Sequence, residues 1–61
     1  MTWYDIAYGD TVRTRHDAVR AENDVIDAID AGHDARAIVV TTWHRGKVYE
    51  TCSGHDFLGG E

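Results

Sequence analysis

Residues 37–52 read AIVVTTWHRGKVYETC, and this stretch decides the fold. Its two arms are rich in Val, Ile, Thr, Trp and Tyr, the residues that fit a pleated, half-buried surface. Between them HRGK reads as a tight hairpin turn, with Gly46 supplying the positive φ such a turn needs. A two-residue Arg45-Gly46 turn predicts Trp43 opposite Val48, Thr41 opposite Glu50 and Val39 opposite Cys52. The other face of the hairpin then shows Ile38, Val40, Thr42 and Tyr49.

Upstream, TWYDIAY (residues 2–8) alternates, with Tyr4, Ile6 and Tyr8 on one side and Trp3, Asp5 and Ala7 on the other. That is a strand pattern, ended by Gly9-Asp10. The period then changes. Thr14 and Asp17 have capping-box spacing, which starts a helix at Arg15, and Gly32 supplies its left-handed end. At 100° per residue Ala18, Ala21, Val25, Ile26, Ala28 and Ile29 share one side. Asp17, Arg20, Asn23, Asp24, Asp27 and Asp30 fall on an opposing arc of about 140°. Glu22 points among the apolar residues, where a carboxylate snorkels to water at the edge of a core. In the terminal GHDFLGGE, Phe57 and Leu58 tuck back and residues 59–61 fray.

The reading is α+β: a single domain over residues 1–61, ordered β-α-β-β, with one helix on one face of a three-stranded sheet. Its expected core is Ile6, Val25, Ile29, Val39, Trp43 and Val48. Strand order stays open between an all-antiparallel sheet and a mixed one. One helix covers one face, so Ile38, Val40 and Tyr49 are expected on a bare face that a homodimer or a partner protein covers.

Sixty-one residues are near the lower limit for a single apolar core. Cys52 is the only cysteine, so no internal disulfide is expected and a reducing compartment fits. The N-terminal MTWYDIAYGD lacks a basic n-region and a long apolar run, and no stretch has the ~20 apolar residues of a membrane span. A cytoplasmic protein without membrane contact is expected. Net charge is −5, and residues 17–34 account for all of it, with Asp17, Glu22, Asp24, Asp27, Asp30 and Asp34 against Arg20 alone. Such a surface repels nucleic acid and attracts a basic protein.

Chemistry-bearing motifs are few. Cys52 and His55 have the spacing of half a zinc site, which His33, His44, Asp34 or Asp56 would have to complete; structural sites normally show two such pairs, so no metal or cofactor is expected. No phosphate loop, nucleophile elbow or HExxH motif is present, and no enzyme is expected. The acids themselves are the informative feature. Asp27, Asp30 and Asp34 crowd the C-terminal end of the helix, where the macrodipole disfavours negative charge by ~0.3–1 kcal/mol each. Arg13, Arg15 and His16 stand at the other end. A helix charged against its own dipole points to a binding surface formed by Asp17, Asp24, Asp27, Asp30 and Asp34, or to a salt-rich cytoplasm.

In its acid-studded helix over residues 17–34 and its hairpin AIVVTTWHRGKVYETC, this small acidic chain resembles the phage-encoded inhibitors of bacterial defence, above all the anti-CRISPR proteins. The resemblance lies in size, charge and layout; those families share no motif. It implies a non-enzymatic inhibitor occupying a basic, nucleic-acid-binding surface of a defence complex, with partial DNA mimicry. The alternative is a small regulatory or housekeeping protein of a halophile or mobile element, acidic for solubility.

Overall fold

A computed structural model describes residues 1–59. The chain runs through β1 (Thr2–Tyr8), β2 (Thr11–Arg15), α1 (Ala18–Asp30), a 3-10 turn (Ala35–Ala37), β3 (Val39–His44), β4 (Lys47–Ser53) and the one-turn helix α2 (Gly54–Phe57). The strands form one antiparallel sheet in the order β2-β1-β3-β4, so the mixed arrangement is excluded. None of the described helices is long and apolar enough to cross a membrane.

The α+β class holds, but the sheet has four strands where the sequence predicts three. The added strand is β2. Gly9-Asp10 does not merely end β1; it makes a two-residue hairpin that pairs Tyr8 with Thr11, with Gly9 at φ 54. Thr14 therefore forms no capping box. Its hydroxyl donates to Asp5 Oδ1 at 2.7 Å. Helix α1 begins three residues later than expected, at Ala18, capped by Asp17, whose carboxylate accepts from the Val19 amide at 3.0 Å.

The β3–β4 turn is as expected: Arg45 and Gly46 both have positive φ (54° and 79°), as a type I′ turn requires, and Trp43 pairs with Val48. Beyond that pair the register shifts. Thr42 faces Glu50, Thr41 faces Thr51, Val40 faces Cys52 and Val39 faces Ser53, which leaves Tyr49 as the extra residue of a β-bulge. The expected pairs Thr41–Glu50 and Val39–Cys52 do not form.

The buried cluster is Ile6, Ala21, Val25, Ala28, Ile38 and Val40, with Tyr4, Tyr8, Ile29, Cys52 and Phe57 packed against it. Ile6, Val25 and Ile29 are where the sequence places them. The hairpin is the other way round. Val39 and Val48 are 43 % and 53 % exposed and Trp43 is half-buried, whereas Ile38 and Val40, expected on the bare face, are fully enclosed. Pairing decides this: Val40 lies opposite Ile6 and shares its face, and that face carries α1. Tyr49 stays exposed, with its ring edge-on to His44. Ile26, expected on the apolar side of α1, is 44 % exposed, because the helix turns Ala21, Asp24, Val25 and Ala28 inward.

Gly54 closes the core. Its amide donates to the Ile38 carbonyl at 2.7 Å. A Cβ there would sit 2.9 Å from Val25 Cγ1 and 3.0 Å from both the Ala35 carbonyl oxygen and Ile38 Cβ. Backbone on one side and buried aliphatics on the other leave nothing that can yield. Downstream, Phe57 packs near Tyr4 (ring centroids 5.8 Å apart) and is half-buried against the core, whereas Leu58 is 37 % exposed and does not tuck back. In the tail expected to fray, Gly59 donates to the Asp56 carbonyl, while Gly60 and Glu61 lie outside the described residues.

Replacing Gly54 by Ala is expected to destabilise the domain by about 1–3 kcal/mol, the usual effect of overpacking. Urea unfolding checks it, and an unchanged midpoint would show that the α1–α2 contact is looser than this.

Candidate functional site: an acidic helix end and a largely apolar sheet face

The five predicted partner-binding acids do not form one arc. Asp24 is the correction. It lies at the rim of the buried side of α1, 8 % exposed, and holds Arg15 of β2 through two hydrogen bonds, from Nε to Oδ2 and from Nη2 to Oδ1 at 3.3 Å. A carboxylate consumed in a half-buried ion pair is not offered to a partner. Asp17 is exposed but serves as the helix cap, and Asp34 is exposed and caps the 3-10 turn by accepting from the Arg36 amide at 2.9 Å. Asp27 and Asp30 are exposed and form no side-chain hydrogen bond or ion pair among the described residues. The free acids therefore concentrate at the C-terminal end of α1, with Asp34 just beyond it.

The charges facing the helix dipole also differ from those expected. Arg13, Arg15 and His16 precede the helix, and the first two belong to β2, where Arg13 donates to the Tyr8 hydroxyl at 3.0 Å. The N-terminal mismatch disappears, and Asp17 there is favourable. At the other end it remains, since the last turn carries no base to offset Asp27 and Asp30.

The second feature is the sheet face away from α1, whose hairpin residues Val39, Trp43 and Val48 the sequence reading takes for core. Strand pairing puts Trp3, Asp5 and Ala7 on it from β1, Val12 and Thr14 from β2, Val39, Thr41 and Trp43 from β3, and Val48 and Thr51 from β4. Trp3 and Trp43 stack with centroids 5.7 Å apart and planes 5° from parallel. Among the described strand residues the single charge on this face is Asp5. Its oxygens accept from Trp43 Nε1 at 3.0 Å and from the Thr14 hydroxyl. All other charged side chains in β-strands point to the helix side or stand at turns. Asp5 between Trp3 and Ala7 is the signal that marks this side of β1 as the outer one.

Cys52 is a free, half-buried thiol. Burial pushes its pKa up, and the negative charges of Glu50 and Asp56 push it the same way. That is the reverse of the electropositive surroundings that activate a cysteine. Among the described residues no three His, Cys, Asp or Glu side chains are grouped to hold a metal ion. Glu22 is half-buried, as an edge-of-core carboxylate should be. No family model, curated protein or solved structure matches this chain.

Two outcomes follow from this geometry. Asp24→Ala, which removes both hydrogen bonds to Arg15, is expected to lower stability in urea unfolding, while Asp27→Asn and Asp30→Asn leave it unchanged or raise it by up to ~1 kcal/mol each. Equal losses at all three would mean that Asp24 is as free as the others. For Cys52, a folded pKa above the unfolded one means that its contribution is present below the unfolded value and is lost as pH rises through the folded one. Alkylation of the folded protein at mildly alkaline pH should therefore be slower than that of the urea-unfolded chain, and Glu50→Gln should speed it.

Proposed function

We propose that this protein is a non-enzymatic inhibitor that acts by occupation, docking the acidic end of α1 on a basic, nucleic-acid-binding surface of a larger protein assembly. The observation that carries the reading is the pair Asp27 and Asp30, exposed and unpartnered where the helix dipole disfavours them. Asp34 flanks them, and Asp17 lies a helix length away, at ~20 Å. A complementary basic surface stabilises all of these at once and steers encounter with them. With Asp24 withdrawn to Arg15, the remaining acids no longer form an evenly spaced, phosphate-like row. Occupation of a basic site is thus a better description than mimicry of a DNA strand. The resemblance to anti-CRISPR proteins supplies the class of target: a nucleic-acid-handling defence complex.

The test is displacement. The protein should release bound nucleic acid from a susceptible CRISPR effector complex, and the triple variant Asp27→Asn, Asp30→Asn, Asp34→Asn should do so more weakly, by about 1–3 kcal/mol in sum, on the order of one for each exposed ion pair. Added salt should weaken the wild type more than the variant. A triple variant as effective as wild type overturns the reading. Salt also separates it from the alternative, since a halophilic protein unfolds when salt is removed and an inhibitor of this kind does not.

A further inference from the structure

We propose that the sheet face opposite α1 is the docking surface for a second copy of this chain, giving a back-to-back dimer whose acidic helices point outward. Two independent observations carry it. The first is the chemistry of the face: Val12, Val39 and Val48 are 66 %, 43 % and 53 % exposed, and the stacked Trp3–Trp43 pair lies among them. Valines and paired aromatic rings on a flat sheet are what a sheet-on-sheet interface buries.

The second is where the charge is. Each copy carries −5, so two copies repel over most approaches. Among the described strand residues Asp5 is the sole charge on this face, and both of its oxygens are held within the face by Trp43 and Thr14. The helix acids stand on the opposite side of the sheet. Two chains of like charge thus meet with least repulsion through this face, and a basic partner is drawn to the other side. A twofold contact brings the same patch of each copy together, so valines meet valines and tryptophans across the axis and each Asp5 keeps its own two partners.

Size sets the strength. Strands of seven, five, six and seven residues, at about 3.3 Å rise and about 4.8 Å spacing, give a face of roughly 400 Å². Two such faces remove on the order of 800 Å² before side-chain relief is counted, in the range of weak, transient interfaces. The dimer should therefore assemble in the micromolar range.

Sedimentation equilibrium across micromolar concentrations tests it, together with acrylamide quenching of the two tryptophans, both of which lie on this face. The expected mass rises from 6.8 kDa towards twice that value, and tryptophan accessibility falls in step. Val39→Asp should raise the dissociation constant on the order of a hundredfold, because the twofold axis places two unpaired carboxylates in the interface. Ile26→Asp, at an exposed apolar position on the helix, should not affect it. A mass of 6.8 kDa throughout, with constant quenching, overturns the proposal and leaves the face to a different protein. So does a dimer with tryptophans as accessible as in the monomer, or one broken by Ile26→Asp and not by Val39→Asp. The quenching series needs no variant, so it decides the matter even if Val39→Asp fails to fold. None of these readouts depends on the acidic patch.

Discussion

Ile6 and Val40, paired across the two central strands, are enclosed with Val25 and Ile38 in one buried cluster, and the rest of the molecule is disposed around that contact. Each of these side chains contributes roughly 1.5–3 kcal/mol by leaving water. In so short a chain few others do. The cluster forces α1 onto the Ile6 side of the sheet, so every residue of opposite parity on the same strands must face outward. It also explains the missing side chain at Gly54. Helix α2 begins where β4 leaves the sheet, and only a glycine lets its backbone approach Val25 and Ile38 at the distances found.

The hairpin turns were readable in the sequence because turn chemistry is local. Arg45-Gly46 gave the β3–β4 connection and its first pair. Gly9-Asp10 carried the same kind of signal, but four of the five residues of β2 are exposed, so no burial pattern marks it as a strand. What remained were the β-branched Thr11, Val12 and Thr14, which a capping-box reading of Thr14 overrode. The orientation of β3 was not readable by the same means. Both of its faces are apolar, and the bulge at Tyr49 changes parity between the turn and the strand ends. Only pairing with β1, a contact distant in sequence, distinguishes Val40 from Val39.

One missed strand accounts for most of the error at the candidate site. Helical periodicity places Asp24 at the edge of the acidic arc, which is correct as far as a single helix goes. Its partner Arg15 belongs to β2. With β2 read as the helix start, Arg15 became a misplaced charge on α1 and Asp24 a free acid. Restoring the strand removes both anomalies together. Asp27 and Asp30 survive because nothing on β2 reaches their side of the helix.

Segregation of charge also bears on how such a sheet avoids uncontrolled pairing. The edge strands are the natural templates for aggregation. Here β2 is five residues long and carries Arg13 and Arg15, while β4 carries Lys47 and Glu50 and is interrupted by the bulge at Tyr49. Both edges therefore hold the devices that discourage strand addition. The outer face has only the charge of Asp5 among the described residues, with both oxygens already bonded to Trp43 and Thr14. Threonines alternate with its valines and tryptophans, which keeps the face hydrated without a further charge. Charge is thus concentrated at the sheet edges, the turns and α1, and the face away from α1 is left with that one carboxylate.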